Sequence, residues 1–91
     1  MARYEVMAIT TLEGKPKTGI ATKGRVGMIG KLKFYNISDN SVHMCFMSEK
    51  HFKGFITSRI VNDREEVDGH ITKRVITTRN SIYVLKELKE V

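Results

Sequence analysis

Apolar and polar residues alternate along most of this chain with a period of two, the periodicity of β-strands. Between residues 3 and 11, Tyr4, Val6 and Ala8 fall on one side and Arg3, Glu5, Met7 and Ile9 on the other. Both faces of a first strand are therefore partly apolar. The run 31–37 places Lys31, Lys33 and Tyr35 on one face and Leu32 and Phe34 on the other. In 41–48, Val42, Met44 and Phe46 point toward a core, with His43, Cys45 and Met47 opposite. A β-branched run at 55–62, a return at 71–78 and a last run at 81–85 bring the count to five or six short strands.

The breaks between these runs carry turn chemistry. Glu13-Gly14-Lys15-Pro16 reads as a turn, because glycine tolerates positive φ and proline presets its own φ. Ser38-Asp39-Asn40-Ser41 is rich in residues that bond their own backbone, and it joins the two flanking runs into a hairpin. Asp68-Gly69 favours a second tight hairpin turn. Gly24, Gly27 and Gly30 mark a segment where a strand bends sharply or another backbone comes close. Residues 48–54 read as a loop or one helical turn with Ser48 as its cap, and 86–91 as the end of a strand or a frayed turn. The expectation is a mainly β fold: one small SH3-like or OB-like barrel over residues 1–91, with little helix. Closing a sheet on itself removes the exposed edges that small β proteins must protect.

Length limits what such a barrel can hold. A chain of 91 residues forms one domain, and at this size folding buries roughly 64% of the surface that the unfolded chain exposes. That suffices for one thin core without a deep private cavity. A sizeable ligand site is expected on the surface or between subunits, and a homo-oligomer is expected on the same grounds. No apolar run approaches the ~20 residues of a membrane span. The start, Met1-Ala2-Arg3-Tyr4-Glu5-Val6, lacks the apolar stretch of a signal peptide. The single Cys45 has no partner for an internal disulfide. A soluble protein of the cytoplasm, without a membrane partner, is the expectation.

Charge sharpens the picture. The net charge is +6, and it is unevenly placed. Between Gly14 and Ser38 stand six basic residues (Lys15, Lys17, Lys23, Arg25, Lys31, Lys33) and no acidic one, whereas 49–91 is close to balanced. A one-signed segment creates a local positive potential that attracts anions. The plainer alternative is a solvated face that keeps the protein in solution.

Two segments resemble known proteins. Thr22-Lys23-Gly24-Arg25-Val26-Gly27-Met28-Ile29, the turn at 38–41 and Val42-His43-Met44-Cys45-Phe46 together resemble the opening of SH3-like barrels. Residues Val75-Ile76-Thr77-Thr78-Arg79-Asn80-Ser81-Ile82-Tyr83-Val84-Leu85, with Thr57-Ser58-Arg59-Ile60-Val61 upstream, resemble the closing strands of short proteins encoded by phages and mobile elements. The resemblance covers about half the chain. It implies a small barrel and a viral origin, hence a host cytoplasm. It does not reach the aromatic groove for proline-rich peptides, since the chain has no Trp.

The residues point away from catalysis. His43, His51 and His70 fall in a strand, a loop and a turn, without the spacing of a zinc or facial-triad site. His43 and Cys45 share a strand face at roughly 7 Å, a longer reach than a base-to-nucleophile bond prefers. Glu65, Glu66 and Asp68 crowd a turn, where paired-carboxylate chemistry has no cleft. Gly24, Gly27 and Gly30 match no nucleotide-binding fingerprint. No enzyme, metal or cofactor is expected.

A binding module remains. Lys31, Lys33 and Tyr35 on one strand face, with Lys23 and Arg25 nearby in sequence, are its best candidate: cations hold phosphates while an aromatic ring stacks on a base. Lys15 and Lys17 extend the basic stretch, and Lys73, Arg74 and Arg79 form a second, weaker patch, with Lys73 and Arg79 on one face and Arg74 on the other. Nucleic-acid binding through the basic face, in a phage accessory or regulatory protein, is the leading expectation. A second is a phage counter-defence protein that sequesters a phosphorylated nucleotide at an oligomer interface, with Arg25, Arg59, Arg74 and Arg79 as candidate ligands. A third is an inhibitor or adaptor that binds an acidic host protein.

Overall fold

The structure, a computed structural model, describes residues 2–19, 22, 24–38, 41–50 and 54–88. Its named elements are six strands: β1 (Arg3–Thr10), β2 (Ile29–Ser38), β3 (Ser41–Ser48), β4 (Gly54–Asp68), β5 (Ile71–Thr78) and β6 (Ile82–Leu88). Each pairs antiparallel with the next, and β1 pairs with β6, so the sheet closes into a barrel. This is the small, mainly β barrel that the alternation predicts, at the upper end of its strand count. No helix of the described residues is long and apolar enough to cross a membrane.

The core follows from alternation with two corrections. The first is Val42, which is expected inward with Met44 and Phe46 but is exposed at the start of β3, beside the irregularity in its pairing with β2. Val6, Ile9, Met44, Phe46, Phe55, Ile76, Tyr83 and Leu85 are buried inside the barrel, with Tyr4, Met28, Leu32 and Ile60 packed against them. A simple period of two puts Ile9 opposite Val6, but a bulge between Val6 and Ala8 resets the register. One extra residue in a strand flips every side chain beyond it. Ile9 therefore joins Val6 in the core. Phe46, Phe55 and Tyr83 form a stack, with ring centroids 5.4 and 5.8 Å apart. Such ring pairs add about 0.5–1.5 kcal/mol each beyond the area that they bury.

The seam between β1 and β2 is short. Only Tyr4↔Gly30 and Glu5↔Ile29 pair as strand residues. The long connection between these strands closes the rest, since Val6 N–H bonds to Met28 C=O, Gly27 N–H to Val6 C=O and Lys17 N–H to Ile9 C=O. Gly30 is required there: a Cβ would collide with the Met47 backbone. That is the close backbone approach expected of the glycine-punctuated segment.

The β-branched run expected at 55–62 continues as one strand to Asp68, serving two neighbours in turn. Residues 54–59 pair with β3, and residues from Ile60 onward pair with β5. The hairpin turn after it comprises Gly69 and His70, because Asp68 still pairs with Ile71. Gly69 takes the positive φ of 62° that the turn demands. Asp39, Asn40 and residues 51–53 lie outside the described residues, as does Lys23.

Candidate functional site

Strands β2, β3 and the first half of β4 present one continuous outward face. Lys31, Lys33 and Tyr35 of β2 lie in register with Met47, Cys45 and His43 of β3. On the far side of β3, Cys45 faces Ile56 and His43 faces Arg59. The face thus has three rows across the strands: Lys31 and Met47; Lys33, Cys45 and Ile56; and Tyr35, His43 and Arg59. Tyr35 is 43% exposed, so its ring is available rather than packed at the rim. These rows carry no carboxylate themselves, but Glu49, just past the end of β3, lies near Lys31 and is held by Arg3, which with Lys31 keeps its carboxyl below the usual range. An apolar hollow of about 540 Å³, lined in part by Cys45, Met47 and Ile56, lies within the face beside Lys33.

The third row is built with particular care. A bulge in the pairing of β3 with β4 leaves two backbone groups without ladder partners. Thr57 resolves one: its buried hydroxyl accepts the Met44 N–H at 3.1 Å and donates to the Ser58 carbonyl at 2.8 Å. His43 resolves the other, its Nδ1 lying 2.9 Å from the Thr57 carbonyl. A carbonyl only accepts, so Nδ1 carries a proton and Nε2 is the ring atom left for other partners. The bulge thereby fixes the imidazole on the outer face.

Arg79 is fixed beside this row by the β5–β6 turn. Thr78, fully buried, closes the turn through its own N–H to the Ser81 carbonyl at 2.8 Å, while its Oγ1 accepts the Ser81 N–H at 3.1 Å. Arg79 then donates its backbone N–H to the Arg59 carbonyl at 3.0 Å. His43, Arg59 and Arg79, with Ser41, Ser58 and Asn80, line a hollow of about 500 Å³. No described carboxylate lines it.

The remaining sequence-derived candidates go elsewhere. Arg25 places its guanidinium 4.7 Å from the centroid of the Phe55 ring and caps the aromatic stack. Lys15 and Lys17 belong to the connection that runs along β1. Arg74 points into the barrel mouth, over the Phe34 ring at 4.7 Å, and holds Asp63 through two bonds of 2.9 and 2.6 Å. That carboxylate raises the already high pKa of Arg74, although partial burial opposes the shift. Lys73 is outward but faces Glu66 on one side and Lys86 on the other. Lys31, Lys33, Tyr35 and Arg79 thus share one face, and Lys15, Lys17, Arg25, Lys73 and Arg74 do not.

One member of the face, His43, reads from sequence as an ordinary surface histidine. Arg59 is expected as a phosphate ligand only in the nucleotide-sequestering reading, together with Arg25, Arg74 and Arg79, and not as part of the basic strand face. A signal was present in the hairpin. A bulge-free turn at 39–40 would set Tyr35 opposite Met44, an outward residue against an inward one. A one-residue irregularity between Asn36 and Ser38 restores the match and brings His43 beside Tyr35.

No protein-family model matches the chain, and searches of the curated proteins and of the solved structures return no similar protein.

Proposed function

We propose that this barrel binds single-stranded nucleic acid across the outer face of β2, β3 and the first half of β4. The observation that carries this reading is the coincidence of an exposed aromatic ring, Tyr35, with Lys31, Lys33, Arg59 and Arg79 on one surface, with Glu49 at its Lys31 end held by Arg3. A phosphate backbone needs cations at repeated intervals, and unstacked bases need flat or apolar surface. Alternate residues of a strand stand about 7 Å apart, so Lys31, Lys33 and Tyr35 form such a series. Met47, Cys45 and Ile56 supply apolar surface beside it. Met47 and Ile56 are both exposed and line one hollow with Cys45, so the apolar surface is open to a base.

The test is salt dependence. Four cations neutralising four phosphates of a single strand give a slope of log affinity against log salt near −2.8, that is, about −0.7 for each contact. Fluorescence anisotropy with a labelled oligothymidylate across a salt series measures it. A slope near zero would sink the reading.

A further inference from the structure

We infer that the hollow lined by His43, Arg59 and Arg79 takes a terminal phosphate of the bound strand, a phosphomonoester rather than a bridging diester. This deepens the single-strand reading and rests on it. Three kinds of observation support it.

The first is charge. Arg59 and Arg79 bring two positive charges to one hollow of about 500 Å³. A phosphomonoester carries about −1.5 to −2 at neutral pH with three acceptor oxygens, whereas a diester carries one charge. Two guanidiniums, each able to donate two parallel bonds, match the monoester. A diester leaves one of them without its counter-charge.

The second is the proton. The bond from His43 Nδ1 to the Thr57 carbonyl leaves Nε2 for a ligand. A monoester in its monoanionic form keeps a P–OH group, which can donate a hydrogen bond to Nε2 as acceptor. A diester has no such proton to give.

The third is placement. The hollow adjoins Tyr35 through the register pair Tyr35↔His43, so a nucleoside bearing that phosphate meets a ring on which to stack. Lys33 and Lys31 follow along β2 for the next phosphates. The three ligating side chains come from three elements, and backbone bonds hold His43 and Arg79 in place. The His43 ring and the Arg79 backbone are thus placed before any ligand arrives, which lowers part of the entropic cost of binding, while the exposed Arg59 and Arg79 guanidiniums close on the phosphate.

The experiment uses the full chain and an internally labelled oligothymidylate, displaced by three unlabelled octathymidylates with a 5′-phosphate, a 3′-phosphate or neither. One phosphorylated end should compete about tenfold more strongly than the hydroxyl-ended oligomer. Arg79→Gln and the conservative Arg59→Lys should each remove that advantage, so that the three oligomers compete alike. Because both arginines also serve the strand, Arg79→Gln should in addition weaken the hydroxyl-ended oligomer by the several-fold of one lost phosphate contact. The readout is the ratio between phosphorylated and hydroxyl ends. Lys33→Gln should weaken all three alike. Equal competition by all three oligomers overturns the inference while leaving single-strand binding intact. If no oligomer binds, the single-strand reading fails on its own, and inorganic phosphate then tests the hollow through the His43 ring resonances. A saturable shift abolished by Arg79→Gln assigns the hollow to a free phosphate ligand, and no shift removes the site altogether.

Discussion

The two halves of β4 carry charge in opposite ways. In the first half, Arg59 stands with His43, Lys33 and Arg79 away from any described carboxylate, and only Lys31, at the far end of the face, has one near it, Glu49, which Arg3 already holds. In the second half, every cation has an acid within reach. Arg64 bonds Glu66 at 2.7 Å, Arg74 holds Asp63 at 2.6 Å, and Lys73 faces Glu66 in register. Both regions look basic or mixed from sequence, yet only one keeps a positive excess, since its described acid, Glu49, is already paired with Arg3. Strand pairing decides the difference, because it brings β5 cations against β4 acids and β2 cations against neutral β3 positions. Exposed ion pairs contribute little to stability, but they cancel the potential that would draw an anion.

Charge reversal breaks the comparison most directly. Lys31→Glu with Lys33→Glu should lower oligonucleotide affinity by about a hundredfold, since two favourable contacts become repulsive. Lys73→Glu with Lys86→Glu reverses the same amount of charge on the other region and should change affinity less than about threefold. Anisotropy at one salt concentration compares the two. Similar losses from both would mean that net charge, not the face, governs binding.

Thr57→Val probes how the face is held. Valine keeps the shape but leaves the Met44 N–H buried without an acceptor, which should cost about 1–3 kcal/mol in urea unfolding. The His43 support sits in the same bulge, so the folded variant should also lose several-fold in affinity. Full affinity with reduced stability would show that the bulge does not position the face.

Arg74→Met addresses the second half of β4. The substitution removes the partner of Asp63 and the cation over Phe34. Stability should fall by about 1–2 kcal/mol, a modest loss because the pair stays about a third exposed. Affinity for each folded molecule should not change. A thermal melt and an anisotropy titration of the same sample separate the two, and a clear loss of affinity would place Arg74 in the binding surface after all.

Much of the fold was legible in the chain. A period of two over 31–37 and 41–48 identified inward Leu32, Met44 and Phe46 and outward Lys31, Lys33, Tyr35, His43 and Cys45 before any pairing was known. Side-chain direction in a strand depends only on local alternation. The Gly69 turn and the close approach at Gly30 were also readable, because only glycine meets those backbone demands. The candidate site was half legible: Lys31, Lys33 and Tyr35 lie on one strand and share a face by alternation alone.

What alternation could not supply is which strands lie side by side, and where one residue too many resets a register. The bulge after Val6 moved Ile9 into the core, and the bulge opposite Thr57 aligned His43 with Arg59. The β5–β6 turn then brought Arg79, twenty residues downstream, against the Arg59 backbone. The pairing of Arg74 with Asp63 and the seating of Arg25 over Phe55 are likewise contacts between distant segments. Side-chain direction is local, so the sequence determined which residues of each strand face out. Neighbourhood between strands depends on barrel closure and bulges, so the tertiary structure alone decided which of the outward cations stand together and which are neutralised.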